Sequence, residues 1–180
     1  MNDPSIHIRR ATPDDAEAIQ RLFAFPRVLW GTLQVPYMSL ESRRKRLTDV
    51  AEGTYPLVAV VDGEVVGQLT LHTAKSSSPR RRHAGAFGMA VRDDFHRRGV
   101  GTALMAALVD LADNWLNLHR LELEVFVDNE WAVHLYQRFG FVIEGRLVDF
   151  AFRDGEYADV FVMGRIRGRG NGDNNKEVAN

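Results

Sequence analysis

Two Asp-Gly pairs, Asp62-Gly63 and Asp154-Gly155, constrain the fold of this chain more than any other feature. Each pair separates two apolar or alternating stretches, where Asp-Gly favours a two-residue β-hairpin turn. The chain between the hairpins reads as strand, helix, strand and helix, at residues 82–91, 101–116, 121–125 and 130–139. Because a strand–helix–strand unit pairs its strands in parallel, the pattern predicts a mixed sheet with antiparallel arms and a parallel pair at its centre.

The N-terminal part of the chain is predicted to add a strand and two helices. Residues 5–10 alternate as a strand does, and Thr12 suits the cap of a first helix. Residues 25–37 are aromatic and interrupted by proline and glycine, and we interpret them as a loop. Ser39 is expected to cap a second helix that runs to about residue 50. Its basic cluster, residues 43–46, is interpreted as a solvated face.

The composition of the chain excludes several classes of function. The chain has 180 residues and a formal net charge of −1, so we expect one domain over residues 1–167, a disordered tail over residues 168–180, and no nucleic-acid partner. The absence of cysteine excludes thiol catalysis and thiolate metal sites, and no metal is expected. The longest apolar run, residues 103–109, is far shorter than the roughly 20 residues of a membrane-spanning helix. We therefore expect a cytoplasmic protein with no membrane partner.

A turn rich in glycine and arginine follows the first strand of the central unit. In residues 91–102 an apolar strand ends and a helix begins across Gly99 and Gly101. Glycine lets a ligand approach the backbone, the first helical amides lack internal acceptors, and Arg97 and Arg98 add positive charge. The pattern predicts a site for a pyrophosphate, although similar glycine turns also join a strand to a helix without binding any ligand.

A second motif lies downstream, where Asn129, Ala132, Tyr136 and the pair Gly140-Phe141 mark the start, one side and the end of a helix. Together the two motifs resemble the GNAT superfamily of acetyl-CoA-dependent N-acetyltransferases. The family's cofactor turn is matched by Val91, Gly99 and Gly101, and its later Asn, Ala, Tyr and Gly-Phe pattern is matched in full. His96 stands where the family usually has Gln or Arg.

This resemblance implies an α/β (α+β) fold of the GNAT type. The sheet would be mixed and mostly antiparallel, with six to seven strands and a central parallel splay, and about four helices would flank it. The resemblance also implies acetyl-CoA as co-substrate and, because dimers are common in the family, a homodimer.

Site residues follow from the same resemblance. The end of the central strand would hold the pantetheine arm, residues 97–102 would bind the pyrophosphate, and the residue at 129 would contact the cofactor arm. The implied cofactor-binding residues are Met89, Ala90, Val91, Arg97, Arg98, Gly99, Val100, Gly101, Thr102, Asn129 and Tyr136.

For catalysis the resemblance implies that Tyr136 protonates the departing thiolate, and that a backbone amide near Met89 stabilises the oxyanion. We choose Glu124 as the base that deprotonates the amine, because it alternates away from the face of Leu123 and Val125. The resemblance supports this choice, since protein N-terminus acetyltransferases of the family have an equivalent Glu at the same spacing before the tyrosine. Glu122 lies on the same face of the predicted strand and is its rival. The family often deprotonates through water, so an essential carboxylate is not required.

The acceptor is predicted from four further segments, residues 33–36, 113–116, 125–129 and 153–157. They are similar to bacterial L-amino acid N-acetyltransferases of the family that act on phenylalanine and methionine. The resemblance implies a small-molecule amine or amino acid as acceptor. An apolar cavity for it could be lined by Phe25, Trp30, Leu33 and Tyr37 of the aromatic segment. The weak candidates for a carboxylate-binding cation are Arg27, Arg82 and His83.

Three alternatives stay open at this point. The chain could acetylate protein N-termini or lysines, which requires an open groove for a peptide. It could be an acyl-CoA-binding module without turnover, in which Tyr136 and Glu124 are dispensable. It could bind nucleic acid through the arginines of residues 43–46 and 80–82, which the net charge disfavours.

Overall fold

A seven-stranded sheet forms the centre of the computed structural model, which describes residues 5–73 and 78–168. Its strand order is β1-β2-β3-β4-β5-β7-β6, and every neighbouring pair is antiparallel except β4 with β5. The predicted mixed sheet with one central parallel pair is therefore confirmed. The strands are β1 (His7–Arg10), β2 (Thr54–Val61), β3 (Glu64–Thr73), β4 (Ala84–Val91), β5 (Arg120–Phe126), β6 (Val142–Arg153) and β7 (Glu156–Ile166).

Both predicted hairpin turns are present. Asp62 and Gly63 have φ values of 50° and 82°, and Asp154 and Gly155 have φ values of 52° and 87°. Two successive residues with positive φ match the right-handed twist of the strands that they join, which is why Asp-Gly is favoured here. The first turn joins β2 to β3, and the second joins β6 to β7.

The parallel pair is short. β4 and β5 pair only from Ala84 with Arg120 to Ala86 with Glu122. Both strands continue beyond that ladder, to Val91 and Phe126, so the sheet opens between them. The central splay that the family resemblance implied is thus present in the strand pairing.

Five α-helices of the described residues flank the sheet: α1 (Ala16–Leu22), α2 (Pro26–Trp30), α3 (Leu40–Thr48), α4 (Val100–Asp110) and α5 (Glu130–Arg138). The interpretation of residues 25–37 as a loop was wrong for α2. The fixed φ of a proline suits the first position of a helix, and Gly31 ends this one. The predicted caps of α3 and α5 are confirmed, because Ser39 Oγ accepts from Ser42 N and Asn129 Oδ1 accepts from Ala132 N.

Helices on the two faces of the sheet form separate cores. Leu69 and Leu123 belong to the core under α4 and α5, whereas Val58 belongs to the core with Ile19 and Leu47 of α1 and α3. Since successive side chains of a strand point to opposite faces, these contacts assign every other strand residue to one side. The pleat therefore decides which residues of β4 and β5 face which helices.

One prediction about the surface was wrong. Residues 43–46 were expected to form a solvated face, but Arg43 is buried, with an exposed fraction of 5%. It lies on the inner side of α3, three residues after Leu40 and four before Leu47, at the spacing of one helix face. Arg44, Lys45 and Arg46 are exposed, as expected.

Most of the predicted tail, residues 169–180, lies outside the described residues. Over the ranges that the structure does describe, no helix combines the length and the apolar character that crossing a bilayer would require.

Candidate active site

A cavity of about 990 Å³ lies where β4 and β5 separate. Its wall includes residues from Phe87 to Val91 on β4 and from Glu124 to Phe126 on β5. The start of α4, one side of α5 and the inner sides of α1, α2 and α3 complete it. The cavity therefore has contributions from helices on both faces of the sheet.

The pleat divides the cavity into two halves. Met89, Val91 and Val125 pack against the core under α4 and α5, and we call this the α4/α5 side. Ala90 packs with Leu22 and Val28 of the opposite helices, so it faces the α1–α3 side. By the same alternation Glu124 faces the α1–α3 side. The two halves meet where β4 and β5 part.

Backbone groups of β4 are available along the opening. Arg92 N donates to Val66 O of β3 at 2.8 Å, so the alternate backbone groups of Met89 and Val91 point away from β3, toward the opening. His96 Nε2 lies 2.9 Å from Val91 O. Because a carbonyl only accepts, this contact has Nε2–H as the donor. An extended ligand could add to this edge as a strand does, through the groups of Met89 and the amide of Val91.

The turn before α4 has the conformation that its sequence predicts. Gly99 has a φ of +83° and directly precedes the first residue of α4, and Arg97 also has positive φ. Gly101 serves a different purpose, since a Cβ there would lie 3.0 Å from Leu135 Cδ2 of α5. The first glycine thus permits the turn, and the second permits close contact between two helices.

Positive charge surrounds this turn. Arg97 lies over the ring of Trp131 at 5.3 Å, and both residues line the cavity. Arg138 also lines it, and Arg138 Nη2 donates to Thr102 Oγ1 at 3.4 Å. Together with the free amides at the start of α4, these cations form a site suited to a phosphate group.

Most of the predicted cofactor-binding residues line the cavity, with two exceptions. Val100 is buried in the core, and Arg98 is not part of the wall, because its guanidinium lies over Phe95 at 5.1 Å. Sequence reasoning missed Arg138 and Trp131, which no spacing rule links to the turn. Those in the wall are Met89, Ala90, Val91, Arg97, Gly99, Gly101, Thr102, Asn129 and Tyr136.

Tyr136 reaches the α4/α5 side of the cavity from the middle of α5. It is 6% exposed, and its ring lies 5.7 Å from that of Phe87 and 6.0 Å from that of Phe141. Burial raises the pKa of its phenol above the ordinary value, because the phenolate would lose hydration. The Tyr136 hydroxyl is therefore protonated at neutral pH.

The two candidate bases have different surroundings. Glu124 lines the cavity and is exposed. Glu122 accepts from Arg81 at 2.5 Å and from Arg120 Nε at 2.9 Å, and it is not part of the wall. The geometry thus brings Glu124, and not its rival, to the cavity.

Of the four residues predicted to line the acceptor cavity, only Leu33 lies in the wall. Tyr37 is fully exposed outside it. Trp30 packs under the guanidinium of Arg153 at 3.9 Å, and Arg153 also donates to Trp30 O and to Asp128. Phe25 is not in the wall either. The segment of residues 25–37 therefore lines the cavity with Arg27, Val28, Gly31, Thr32, Leu33 and Gln34, and not with its aromatic side chains.

Cations on the α1–α3 side differ from those predicted. Arg27 lines the cavity, but Arg82 and His83 do not. Arg43 and Arg46 line it instead. Neither was predicted as a site residue, although their spacing of three places both on one side of a helix.

Two residues of the wall carry a buried acceptor atom that the described residues leave without a partner. Gln34 Oε1 and Gln68 Oε1 have no hydrogen-bond partner in the part of the chain that the structure describes, and both residues line the wall. An unpaired buried oxygen is costly to the folded state.

Comparison with known proteins adds to this geometry. The model of the acetyltransferase (GNAT) family matches residues 17–141. The chain is 44% identical over 162 residues to the L-amino acid N-acetyltransferase AaaT of Escherichia coli, a match that covers 90% of this chain and 98% of the relative.

Solved structures agree on the fold. A GNAT acetyltransferase from Streptococcus pneumoniae superposes with a TM-score of 0.76 at 26% identity, covering 90% of this chain and 99% of the other. Spermidine N-acetyltransferase from Vibrio cholerae, in complex with CoA and spermine, superposes with a TM-score of 0.76 at 26% identity, covering 89% and 95%.

Proposed function

The chain belongs to the GNAT acetyltransferase family, and on that premise we propose that it transfers the acetyl group of acetyl-CoA to the α-amino group of a free L-amino acid, such as phenylalanine or methionine. The observation that carries the proposal is the cavity between β4 and β5, with Tyr136 on one side of the sheet and Glu124 on the other. A thioester and an amine could meet there from opposite faces.

The α4/α5 side fits acetyl-CoA. The open edge of β4 at Met89 and Val91 suits the amide groups of a pantetheine arm. The turn at Gly99, with Arg97 and Arg138 beside it, suits the pyrophosphate. His96 contributes indirectly in this proposal, because it holds the carbonyl of Val91.

The reaction is direct transfer. Acetyl-CoA, when bound, supplies an activated thioester carbonyl. Glu124 accepts a proton from the ammonium group, directly or through water, and the free amine attacks the carbonyl carbon. The backbone amide of Met89 donates to the developing oxyanion. As the C–S bond breaks, Tyr136 donates its phenolic proton to the departing sulfur. The second proton of the attacking nitrogen returns to the Tyr136 oxygen through water, and Glu124 releases its proton to solvent. The products are the N-acetylated amino acid, CoA and one proton.

The charge of the wall supports an acceptor with a carboxylate. Among the described residues, the arginines of the cavity outnumber its carboxylates, which come only from Asp49 and Glu124. A polyamine needs acidic partners for each of its ammonium groups, whereas an amino acid offers one carboxylate and one ammonium. The name of the Escherichia coli relative, an L-amino acid N-acetyltransferase, supports the same class.

An acceptor screen tests this function. Purified protein and acetyl-CoA are incubated with the free L-amino acids, spermidine, spermine and short peptides, and CoA release is read with a thiol reagent. We expect release with phenylalanine and methionine. Release with polyamines or peptides but with no amino acid would contradict the proposal, and no release with any acceptor would favour a non-catalytic acyl-CoA-binding module.

We further propose a homodimer in the cytoplasm, where acetyl-CoA is made and used. β6 is an edge strand with apolar side chains exposed to solvent, including Leu147 and Val148. Such an edge favours association with a second chain. Sedimentation equilibrium should give twice the mass of one chain, and Val148→Lys should shift it toward the monomer; a wild-type monomer at micromolar concentration would contradict the dimer.

A further inference from the structure

Arg43 is a buried cation without a buried anion. Asp15 and Arg43 are the two charged residues among the buried side chains of the described part of the chain, and their surroundings differ. Asp15 forms an ion pair with Arg9 at 2.7 Å. Arg43 has no carboxylate partner among the described residues; its Nε donates to Gln20 Oε1 at 2.9 Å and its Nη2 contacts Met38 Sδ at 3.5 Å. A buried charge is normally paired, so this arrangement is incomplete as it stands.

The guanidinium is held in a defined orientation. Gln20 accepts from Arg43 with its oxygen while its own Nε2 donates to Met38 O at 2.6 Å, and the ring of Phe23 lies 4.5 Å from Arg43 Cζ. These contacts occupy the edge formed by Nε and Nη2. The other edge, formed by Nη1 and Nη2, keeps the paired N–H groups that bind a carboxylate in a bidentate manner.

Arg43, whose Nη1–Nη2 edge is not occupied by these contacts, belongs to the cavity wall. Arg43 lines the cavity on the α1–α3 side, the half to which the pleat also assigns Glu124. Arg46, one turn further along α3, lines the same wall. Burial and the charge of Arg46 both lower the pKa of Arg43, so an anion placed between the two arginines would relieve desolvation and repulsion together.

From these observations we propose that Arg43 binds the α-carboxylate of the acceptor amino acid, in a bidentate pair across its Nη1–Nη2 edge, and thereby selects amino acids over amines that lack a carboxylate. The inference rests on the proposed function and adds a specificity residue to it. Gln20 is the positioning residue that holds the guanidinium. Arg46 supplies a second positive charge at the same wall.

The test compares L-phenylalanine with L-phenylalaninamide, which has the same side chain and amine but no carboxylate. The wild-type protein should have a kcat/KM for the amide at least tenfold lower than for the amino acid, although the amide's amine loses its proton more readily. Arg43→Met keeps an unbranched stem against Phe23 and removes the guanidinium. It should lower kcat/KM for phenylalanine roughly 10²-fold, as expected when one partner of a buried charge pair is lost, and leave the amide nearly unchanged.

Arg44→Met is the matched control, because Arg44 is adjacent, exposed and paired only loosely with Glu17 at 4.0 Å. This variant should keep the wild-type ratio of kcat/KM for phenylalanine to kcat/KM for phenylalaninamide. Thermal stabilisation by acetyl-CoA reports whether each variant is folded, and Arg43→Gln, which keeps a hydrogen-bonding end group, replaces Arg43→Met if the latter is not stabilised.

A folded Arg43 variant with the wild-type ratio would overturn the inference, as would a wild-type protein that acetylates phenylalanine and its amide equally well. In the second case N-acetylation of small amines would still stand, and only the carboxylate site would be lost. A wild-type protein that acetylates spermidine or peptides, but neither phenylalanine nor its amide, would overturn the proposed function and this inference with it.

Discussion

At the residue scale, the proposed acid Tyr136 and the proposed base Glu124 lie in different environments. Tyr136 is enclosed by aromatic rings on the α4/α5 side, whereas Glu124 is exposed to the cavity on the α1–α3 side. Desolvation favours the neutral form of an acid and hydration favours the charged form. The buried phenol of Tyr136 therefore keeps its proton to higher pH than an exposed tyrosine does.

Tyr136→Phe tests the acid. The variant keeps the ring contacts with Phe87 and Phe141 and loses only the hydroxyl, so we expect kcat to fall roughly 10²-fold with little change in acetyl-CoA binding. Because burial raises the pKa of the phenol, the wild-type kcat should not decline on the alkaline side until above about pH 10, the ordinary tyrosine value. Fixed-time activity assays at a series of pH values measure the fall in kcat of the variant and the pH dependence of the wild-type kcat. Wild-type turnover in the variant would contradict the role.

Glu124→Gln tests the base, with Glu122→Gln as the matched control from the same strand face. We expect kcat/KM for the amino acid to fall roughly 10²-fold near neutral pH in the first variant only. The deficit should shrink as pH rises, because the amine then loses its proton to solvent. A pH–rate profile of the three proteins distinguishes the cases: equal activity of all three would show that no carboxylate of β5 is needed.

Sequence patterns predicted these two residues for different reasons. Tyr136 came from a family motif. Glu124 came from strand alternation, which could not separate it from Glu122, and from an equivalent glutamate in some members of the family. Their difference arises from Arg81 and Arg120, which bind Glu122. Arg81 lies 41 positions away in the chain, and its pairing with Glu122 depends on tertiary structure that no local pattern encodes.

At the element scale, the turn before α4 depends on one backbone conformation. Gly99 has a φ of +83°, which a residue with a Cβ adopts only with strain. The amides at the start of α4 point toward the proposed pyrophosphate site only if this turn is kept. The conformation of a single residue thus connects a strand, a helix and the proposed cofactor site.

Gly99→Ala should raise the KM for acetyl-CoA about tenfold and destabilise the protein by about 1 kcal/mol. Gly155→Ala is the control, because Gly155 has a φ of +87° in the second hairpin and is not in the cavity wall. It should cost similar stability and leave the KM unchanged. Chemical unfolding and steady-state kinetics measure the two quantities. Equal effects of both substitutions on the KM would contradict a specific role for the turn.

Elements were predictable where local chemistry decides them. The Asp-Gly hairpins, the caps at Ser39 and Asn129, and the glycine turn all have short-range causes, and they were predicted. Helix α2 was missed because an aromatic segment with proline and glycine also suits a loop. The burial of Arg43 was missed because charge alone suggests a solvated face, and the partner elements of α3 are not visible in its own sequence.

At the scale of the whole molecule, one cavity joins the two faces of the sheet. It exists because β4 and β5 pair over only three residues each before they separate. The order of strands and helices along the chain predicted a parallel centre, but no residue pattern in β4 or β5 indicated how many residues of the two strands pair. The family resemblance, not the residue pattern, supplied the splay.

Acetyl-CoA should stabilise the folded protein, because it binds the folded state alone. At a concentration one hundredfold above its Kd the stabilisation should be roughly 2.7 kcal/mol. Thermal unfolding with and without the ligand measures this, and an amino acid alone should shift the midpoint less. No shift at saturating acetyl-CoA would contradict the assignment of the α4/α5 side.

The central claim is that the thioester and the amine occupy the cavity together and react directly. Initial velocities measured over a grid of acetyl-CoA and L-phenylalanine concentrations test it. Simultaneous binding predicts double-reciprocal lines that intersect, and parallel lines, which indicate an acetylated enzyme formed before the acceptor binds, would contradict it.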